Sequence, residues 1–310
     1  MPGVLLSSVG PEMQGEVYLC RNGRRHYMRD LQVIQDQGFE WSDVQPASSD
    51  VLNAFAPAQM APRRWRSFSD ASSRPNLTSR DLREISACTL QGVGLEVGAL
   101  ASPFPVPIHC DVIYGDVYRY EDIQRIYDGE PQHLLVRPLI QTDFATLKRV
   151  ADDSLDFLIA SHVIEHTTDP IGAIRRAGSK LRDGGHLVLV VPDIARTFDR
   201  RRDLTTLDHL IADYEAPSPI RDTEHYKEFY AKAYAPEMPL APTWEESLAR
   251  HDAIHFHTWT YESFLTMAEW VCGKDERLSV AWSHPTLPGA ENFEFYVVMR
   301  KACITDTAHP

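Results

Sequence analysis

Two short apolar runs frame the most informative stretch of the chain, LDFLIASHVIEHTTDPIGAIRRAGSKLRDGGHLVLVVP, which spans residues 155–192. The run at 187–191 is continuously apolar, and the run at 155–160 is apolar apart from Asp156, as strands covered on both faces are. Between them lie a polar turn, an amphipathic helical pattern and a break of two glycines. This order predicts a strand–helix–strand unit, which is half of a doubly wound α/β sheet.

Further apolar runs extend the predicted sheet on both sides of this unit, at 93–97, 110–114, 134–139, 279–283 and 293–300. Helical patterns near 80–89 and 261–271 flank them. The last two runs are close enough in sequence to form an antiparallel hairpin. We therefore predict an α/β fold with a doubly wound, mostly parallel seven-stranded sheet and an antiparallel last strand.

The chain before this sheet has a different composition. Residues 1–56 are predicted to form a small N-terminal unit, in which the runs VYL and HYM flank Asn22 and Gly23. Asn-Gly between two such runs is the strongest short hairpin signal. Residues 57–79 are rich in Pro, Arg and Ser, and we predict that they form a linker.

The main domain is predicted to span residues 80–303. Residues 193–260 interrupt its strand–helix alternation with a polar, proline-containing insert, which we expect to cap the substrate site. Residues 304–310 are predicted to be a frayed tail.

Charge and cysteine content narrow the class of protein. The formal net charge of −13 argues against a nucleic-acid partner, whose phosphates need a basic face. The cysteines lie far apart, as reduced thiols of a cytoplasmic protein do. The N-terminus lacks a signal-peptide pattern, and no apolar stretch approaches the ~18 residues of a membrane span. A small-molecule partner fits these observations, and a homodimer is one arrangement that they leave open.

Polar residues follow the predicted strands at the edge where a doubly wound sheet binds its ligands. Glu96 and Gly98 end the first strand, Asp116 follows the second, and Asp143 follows the third. A further pair, Ser161 and His162, follows the fourth strand. Their order along the sheet predicts one ligand site.

The chain resembles the class I S-adenosylmethionine (SAM) dependent methyltransferases in two segments, GVGLEVGALASP at 92–103 and the stretch at 155–193. The second segment is similar to the type 11 pattern of that class. The resemblance implies SAM as the cofactor. It places Glu96 near the methionine portion and Asp116 at the ribose hydroxyls. It also places Asp143 at the adenine amino group, while Ser161 and His162 line the cofactor.

Two other functions compete with this interpretation. A nicotinamide-dependent oxidoreductase needs a helix N-terminus for its pyrophosphate. The chain has no G-x-G-x-x-G, and Pro103, Pro105 and Pro107 oppose a helix after the turn. The second alternative is a module that binds SAM or its demethylated product SAH without catalysis. Turnover distinguishes it from an enzyme.

The segment HVIEH provides the candidate catalytic groups. If it is helical, His162, Glu165 and His166 share one face. A histidine is a suitable general base near neutral pH, and His166 and His257 are the candidates. Glu165 is the carboxylate that would hold an amine in place.

The same face is similar to the metal-binding E-x-x-E-H pattern of small-RNA 2′-O-methyltransferases, with His162 in place of the first carboxylate. His255 or His257 is then the candidate fourth ligand. Metal-independent relatives carry the same Glu-His pair at the start of a helix. We therefore expect no metal.

The insert supplies the candidate substrate-binding groups, which are Asp199, Glu224, His225, His255 and Trp259. Their acidic members favour a cationic amine or guanidine as the methyl acceptor, ahead of the hydroxyl of a sugar. The segment RTFDRRRDLTTLDHLIADY, at 196–214, resembles a bacterial subgroup associated with biosynthesis of glycans or natural products. That association is an analogy at family level and does not identify the acceptor.

Overall fold

Two β-sheets organise the described part of the chain. A computed structural model describes residues 3–8, 16–21, 24–57, 60–63, 65, 67–69, 76–130, 135–233 and 242–303. Among the helices of these ranges, none combines the length and the apolar character that crossing a membrane requires.

The N-terminal unit contains the smaller sheet. Its strands are β1 (Val4–Ser8), β2 (Val17–Arg21), β3 (Arg24–Met28), β4 (Gln45–Ala47) and β5 (Ala56–Pro57), in the order β4-β1-β2-β3-β5. Helices α1 (Leu31–Asp36) and α2 (Ser49–Asn53) connect them. The predicted hairpin is confirmed, because β2 and β3 pair antiparallel. Its turn residues, Asn22 and Gly23, lie outside the described residues.

The larger sheet carries the predicted α/β topology. Its strands are β6 (Val93–Val97), β7 (Asp111–Asp116), β8 (Ile140–Gln141), β9 (Leu155–Ser161), β10 (Leu181–Pro192), β11 (Leu278–His284) and β12 (Glu294–Lys301). The order is β11-β12-β10-β9-β6-β7-β8, in which β12 runs antiparallel to both of its neighbours. The order reverses between β6 and β9. Such a switch point leaves a crevice at the carboxyl ends of the strands.

Helices cover both faces of this sheet. The helices of this part of the chain are α3 (Ser79–Ser86), α4 (Tyr120–Ile126), α5 (Pro170–Lys180), α6 (Leu207–Glu215), α7 (Pro219–Lys232), α8 (Trp244–Arg250) and α9 (Tyr261–Lys274). Leu158 and Leu189 belong to the apolar cluster that includes α5 and α9, whereas Ile159 and Val190 belong to the cluster that includes α3. Burial on both faces explains why the central residues of β9 and β10 are apolar.

The third predicted strand is placed differently in the structure. Residues 135–139 form no strand, and β8 begins at Ile140, while residue 134 lies outside the described part. Pro138 has no backbone N–H to donate to a sheet, and Leu139 is 78% exposed. The chain therefore pairs with β7 only after the proline.

The HVIEH segment is also not an α-helix. Only Ile164–His166 form a single 3-10 turn, and Thr167 returns to an extended conformation. Helix α5 begins later because Pro170 stands at its first position and Asp169 accepts a hydrogen bond from the Gly172 N–H. The 3-10 turn and the residues beside it, rather than an α-helix, therefore bring His162, Glu165 and His166 to one side of the segment.

Part of the predicted linker is packed against the main domain. Trp65 is buried among the apolar residues that include Leu82 of α3. Its indole N–H donates to Glu84, also on α3, at 3.4 Å. This contact connects the predicted linker to α3.

Candidate functional site

A cleft opens at the carboxyl ends of β6, β7 and β9. Its larger part has a volume of about 860 Å³ and its smaller part about 380 Å³. Gly98, Leu100, Tyr127 and His162 line both parts, so the two volumes adjoin. This is the position predicted for a ligand in a doubly wound sheet.

Another cavity, of about 1010 Å³, lies between the N-terminal sheet and α3. Arg21, Trp65 and Glu84 are among its lining residues. Its lining includes Gln91 and His109, which precede β6 and β7, and none of the predicted site residues at the carboxyl ends of the strands lines it. We therefore place the candidate site in the cleft rather than in this cavity.

Gly98 shapes the turn after β6. Its φ of +73° lies in the left-handed region that glycine adopts without a steric penalty. Its N–H donates to the carbonyl oxygen of Gly115 at 2.9 Å, and an added Cβ would lie 3.1 Å from the Cγ2 of Val163. A side chain here would narrow the cleft.

Glu96 lies at the end of β6 and lines the smaller part of the cleft. Its side chain is buried, and the backbone N–H of Phe104 donates to both carboxylate oxygens, at 2.9 and 3.1 Å. Burial raises the pKa of Glu96 to about 8. The carboxyl group is therefore mostly protonated at neutral pH.

Asp116 and Asp143 line the larger part of the cleft. Asp116 ends β7 and accepts a hydrogen bond from the N–H of Tyr118 at 2.9 Å, and burial raises its pKa. Asp143 follows β8 and accepts hydrogen bonds from the N–H and the hydroxyl of Thr146, at 2.7 and 2.6 Å. Both carboxyl groups are thus held in place from within their own loops.

Ser161 and His162 come at the end of β9. Ser161 lines the smaller part of the cleft, and His162 lines both parts. His162 has a φ of +54°, which is uncommon for a residue other than glycine. Its Nε2 lies 2.8 Å from an oxygen of Glu294. Strained backbone of this kind is concentrated at functional sites.

Arg83 is a cleft residue that the sequence did not single out. It lies on α3, lines the smaller part of the cleft, and donates from Nε and Nη2 to Glu294 at 2.9 and 2.6 Å. Burial alone would raise the pKa of Glu294, but hydrogen bonds from His162, Arg83 and Tyr296 lower it to about 2. Glu294 is therefore ionised and fixes both Arg83 and His162.

A buried carboxylate, that of Glu165, lies beside three imidazoles. Its side chain is fully buried, and neither oxygen has a hydrogen-bond partner among the described residues. The distances from its Oε1 are 3.7 Å to His162 Nδ1, 3.9 Å to His255 Nε2 and 4.0 Å to His166 Nε2. The structure thus brings together the predicted members of the HVIEH segment and adds His255.

The tautomer of His166 follows from its contacts. Its Nδ1 lies 2.9 Å from the carbonyl oxygen of Ile254, and a carbonyl only accepts, so Nδ1 carries the proton. Its Nε2 then has a free lone pair, and His166 itself lines the cleft. Burial lowers the pKa of His166, which keeps the ring neutral near pH 7.

His255 is held by a buried ion pair. Its Nδ1 lies 2.6 Å from Asp199, whose other oxygen accepts from Arg202 at 3.0 Å. Burial would raise the pKa of Asp199, but these hydrogen bonds from His255 and Arg202 hold it below its ordinary value. The ionised Asp199 is thus positioned to orient His255 rather than to contact a ligand in the cleft.

Three other predicted substrate residues lie away from the cleft lining. Glu224 is exposed and accepts from Lys227 at 2.8 Å. Trp259 is fully buried, and its ring packs against Phe264 with centroids 5.3 Å apart. His225 belongs to a separate group of side chains, and so does His257, a predicted catalytic residue.

The insert contributes other side chains to the cleft. Asp222 and Tyr226 on α7 line its larger part, together with Asp252 and Phe256. No lysine or arginine is found among the described residues that line this part, whereas four aspartates are: Asp116, Asp143, Asp222 and Asp252. The larger part of the cleft therefore has an acidic wall.

Within the described part of the chain, two groups of side chains could hold a metal ion. The facing atoms of Glu165, His166 and His255 lie within 4.8 Å of one another. The same limit holds for a second group, which consists of His209, Asp213, His225 and His257. Both groups are candidate metal sites, so the absence of a metal stays a prediction.

Comparison with known families indicates the class of domain. Residues 119–238, which are less than half of the chain, match a family model described as a methyltransferase domain. Over these residues the chain is similar to that family. SAM is the cofactor that this methyltransferase domain implies, and the predicted class I topology is confirmed by the strand order. No curated protein matches the chain significantly.

The chain is also similar in fold to solved structures. A SAM-dependent methyltransferase from Methanosarcina mazei is 13% identical, with a TM-score of 0.41 over 74% of this chain and 100% of that one. One from Mesorhizobium loti is 13% identical, with a TM-score of 0.40 over 72% and 96%. A Rhodobacter sphaeroides protein, provisionally described as a Zn-dependent alcohol dehydrogenase, is 14% identical, with a TM-score of 0.43 over 74% and 91%. Likenesses this distant carry no argument about the reaction.

Proposed function

We propose that this methyltransferase transfers the methyl group of SAM to a small polar acceptor, and that the nitrogen of a cationic amine or guanidine is favoured over a sugar hydroxyl. The observation that carries the proposal is the acidic wall of the cleft, with four aspartates and no lysine or arginine among its described lining residues. A wall of one sign raises the local concentration of a ligand of the opposite charge. Both SAM and a cationic acceptor have positive groups.

The cleft residues fit SAM in the order in which they follow the strands. Asp116 would accept hydrogen bonds from the ribose hydroxyls, and Asp143 would accept from the adenine amino group. Glu96 would face the ammonium of the methionine portion, while Arg83 would bind its carboxylate. The left-handed turn at Gly98 leaves room for the cofactor against the backbone.

Bound SAM supplies a methyl group on a positively charged sulfur, and this sulfur leaves with the electron pair of the broken C–S bond. A cationic acceptor nitrogen must first lose one proton, because only then does it have the lone pair with which it forms the new bond. His166 Nε2 is our proposed proton acceptor, because it has a free lone pair and lines the cleft. The buried Glu165 would stabilise the imidazolium that forms.

Helix α7 provides the proposed acceptor-binding group. Asp222 is half-buried at the cleft, and burial raises its pKa. Tyr226, one turn later, is held by its hydroxyl, which donates to the carbonyl oxygen of Asp252 at 2.8 Å. A cation bound between these residues would face the methyl group of SAM.

The setting of the reaction is also part of the proposal. Cys20, Cys88, Cys110, Cys272 and Cys303 are all free thiols, which supports a cytoplasmic location. The segment at 196–214 supports a biosynthetic role of the glycan or natural-product kind. It supplies Asp199, which orients His255 beside Glu165.

The testing experiment is a methyl-transfer screen of purified protein with SAM against amines, guanidines and sugars, with SAH production as the readout. Asp222→Asn should raise KM about 10-fold to 100-fold for a cationic acceptor, since a charge-assisted contact is lost. Glu224→Gln, two positions away on the exposed face of α7, is the matched control and should leave KM unchanged. Turnover of sugars alone would reassign the acceptor to a hydroxyl, and SAH binding without any turnover would support the non-catalytic module.

A further inference from the structure

A second histidine cluster lies outside the cleft lining. It consists of His209 and Asp213 on α6, His225 on α7 and His257 in the segment before α9. We propose that these four side chains bind one divalent transition-metal ion of the zinc type, and that this ion fastens α6 and α7 to the segment before α9. The proposed ion is independent of the methyl-transfer reaction.

The separations within the cluster match a shared ion. His209 Nε2 lies 3.0 Å from Asp213 Oδ2 and 3.2 Å from His225 Nε2. From the same oxygen of Asp213, the Nε2 atoms of His225 and His257 are 3.7 and 3.8 Å away. Tetrahedral zinc with bonds of about 2.0–2.2 Å places its ligand atoms about 3.3–3.6 Å apart. The observed separations lie on both sides of that range.

One of the converging atoms lacks a protein partner. Asp213 is 5% exposed, and its Oδ2 has no hydrogen-bond partner of acceptable geometry among the described residues. Buried polar atoms are seldom left in this way. A cation at the centre of the cluster would satisfy the Asp213 oxygen and the three facing nitrogens at once.

The surroundings of Asp213 are those of a metal ligand. Its Oδ1 accepts a hydrogen bond from Arg221, which also donates to the carbonyl oxygen of Ala212. A partner of this kind fixes the orientation of a ligating carboxylate. His209, with 37% of its side chain exposed, leaves a route by which an ion can enter.

In the absence of an ion, His257 has an alternative partner. His257 Nε2 lies 3.3 Å from the carbonyl oxygen of Thr168, to which a protonated Nε2 would donate. Binding of a metal requires this nitrogen to lose its proton. If His257 keeps its hydrogen bond to Thr168, added zinc should not bind at the cluster. If His257 ligates the metal, added zinc should bind there and raise Tm.

The ligand set indicates a structural ion. Three imidazoles and one carboxylate suit zinc-like ions, and four protein ligands leave no open position for a substrate. His209 and Asp213 stand four residues apart on one face of α6. The ion would join α6, α7 and the segment at 254–258. Since α7 also supplies Asp222 to the cleft, the ion would hold the proposed acceptor wall in place.

The test measures metal content and thermal unfolding of the full chain. Protein is exposed to Zn²⁺, desalted and analysed by plasma mass spectrometry, beside Asp213→Asn, His209→Ala and the matched control Asp208→Asn on the exposed side of α6. We expect about one zinc per chain in the wild type and the control, and about none in the other two. Zinc should raise Tm only where it binds, and a chelator should reverse the rise.

Glu165→Gln separates this cluster from the one beside the cleft. The proposal requires zinc to be retained in Glu165→Gln. If zinc is lost there but retained in Asp213→Asn and His209→Ala, the ion belongs to the other group and the proposal is wrong. Absence of zinc from the wild type, with Tm unchanged on its addition, also overturns it. His209→Ala keeps the test decisive if Asp213→Asn does not fold, because His209 is partly exposed.

Discussion

Arg83 on α3 and Glu294 at the start of β12 form two hydrogen bonds, at 2.9 and 2.6 Å, across a sequence separation of 211 residues. His162 contacts the same carboxylate at 2.8 Å. These contacts fasten the antiparallel strand and the turn after β9 to the helix that precedes the sheet. The cofactor cleft therefore depends on an ionised carboxylate that lies behind it.

Glu294 should make the fold sensitive to acid. Its pKa is lowered to about 2, so its stabilisation is complete above its ordinary pKa of about 4.5 and is lost as the pH falls towards 2. A shift of this size corresponds to about 3 kcal/mol. Glu294→Gln should lower the free energy of unfolding by about that amount at pH 7 and flatten its decline between pH 4.5 and 2. Urea unfolding at a series of pH values measures both.

The exposed Glu276 provides the comparison. Glu276→Gln should leave the stability and its pH dependence as they are in the wild type. A Glu294→Gln protein with the wild-type acid profile would show that Glu294 is not the group responsible.

Glu96 should lose a proton when SAM binds. Its pKa of about 8 means that the Glu96 carboxyl group of the SAM-free protein is mostly protonated at pH 7. The ammonium group of bound SAM would favour the ionised carboxylate. Binding should therefore release up to about one proton per SAM at pH 7, and less as the pH rises above 8. Calorimetry in buffers of different ionisation enthalpy counts the protons.

In Glu96→Gln the release should disappear. If the wild type and Glu96→Gln release the same number of protons, the ammonium of SAM does not lie at Glu96.

Asp116 should contribute to SAM affinity through charge-assisted hydrogen bonds to the ribose. Asp116→Ala should weaken SAM binding by about 1–3 kcal/mol. Asp111→Ala, at the exposed start of the same strand, is the matched control and should bind SAM normally. Unchanged affinity in Asp116→Ala would remove this residue from the cofactor site.

His166 should determine the acidic limb of the rate profile. Burial lowers its pKa, so its neutral, proton-accepting form is lost only as the pH falls through a value below 6.5. His166→Ala should reduce kcat about 10²-fold to 10⁴-fold, remove that limb and leave SAM affinity near that of the wild type. His284→Ala, which alters a histidine remote from the cleft, should leave kcat intact. If His166→Ala keeps the acidic limb of the wild-type pH–rate profile, another group removes the proton.

The pattern of apolar runs was sufficient to predict the sheet but not every boundary. The run at 93–97 coincides with β6, because it contains no proline and no helix-capping residue that would compete with the strand pattern. Pro138 displaced the third strand, and Asp169 with Pro170 delayed the helix after β9. In both cases local backbone chemistry overrode hydrophobicity.

The candidate site was predicted only where its residues follow strands. Glu96, Asp116, Asp143 and His162 occupy positions set by strand ends, which an apolar pattern locates. Arg83 had no such signal, because its role depends on a partner that folds back from the far end of the chain.

The insert was harder to interpret, because helix packing determines which of its polar groups face the cleft. Asp222 lines the cleft and Glu224 does not, although both are acidic residues of α7. His257 likewise joins a cluster that two separate helices complete. Sequence spacing alone does not reveal such long-range groupings.

The most direct test of the account is a calorimetric titration of the purified protein with SAH, SAM and NADH in parallel. We predict micromolar binding of SAH and SAM and no binding of NADH, because the turn after β6 and its prolines do not offer a helix N-terminus for a pyrophosphate. Binding of NADH without SAH or SAM would contradict the assignment of the cleft and favour an oxidoreductase.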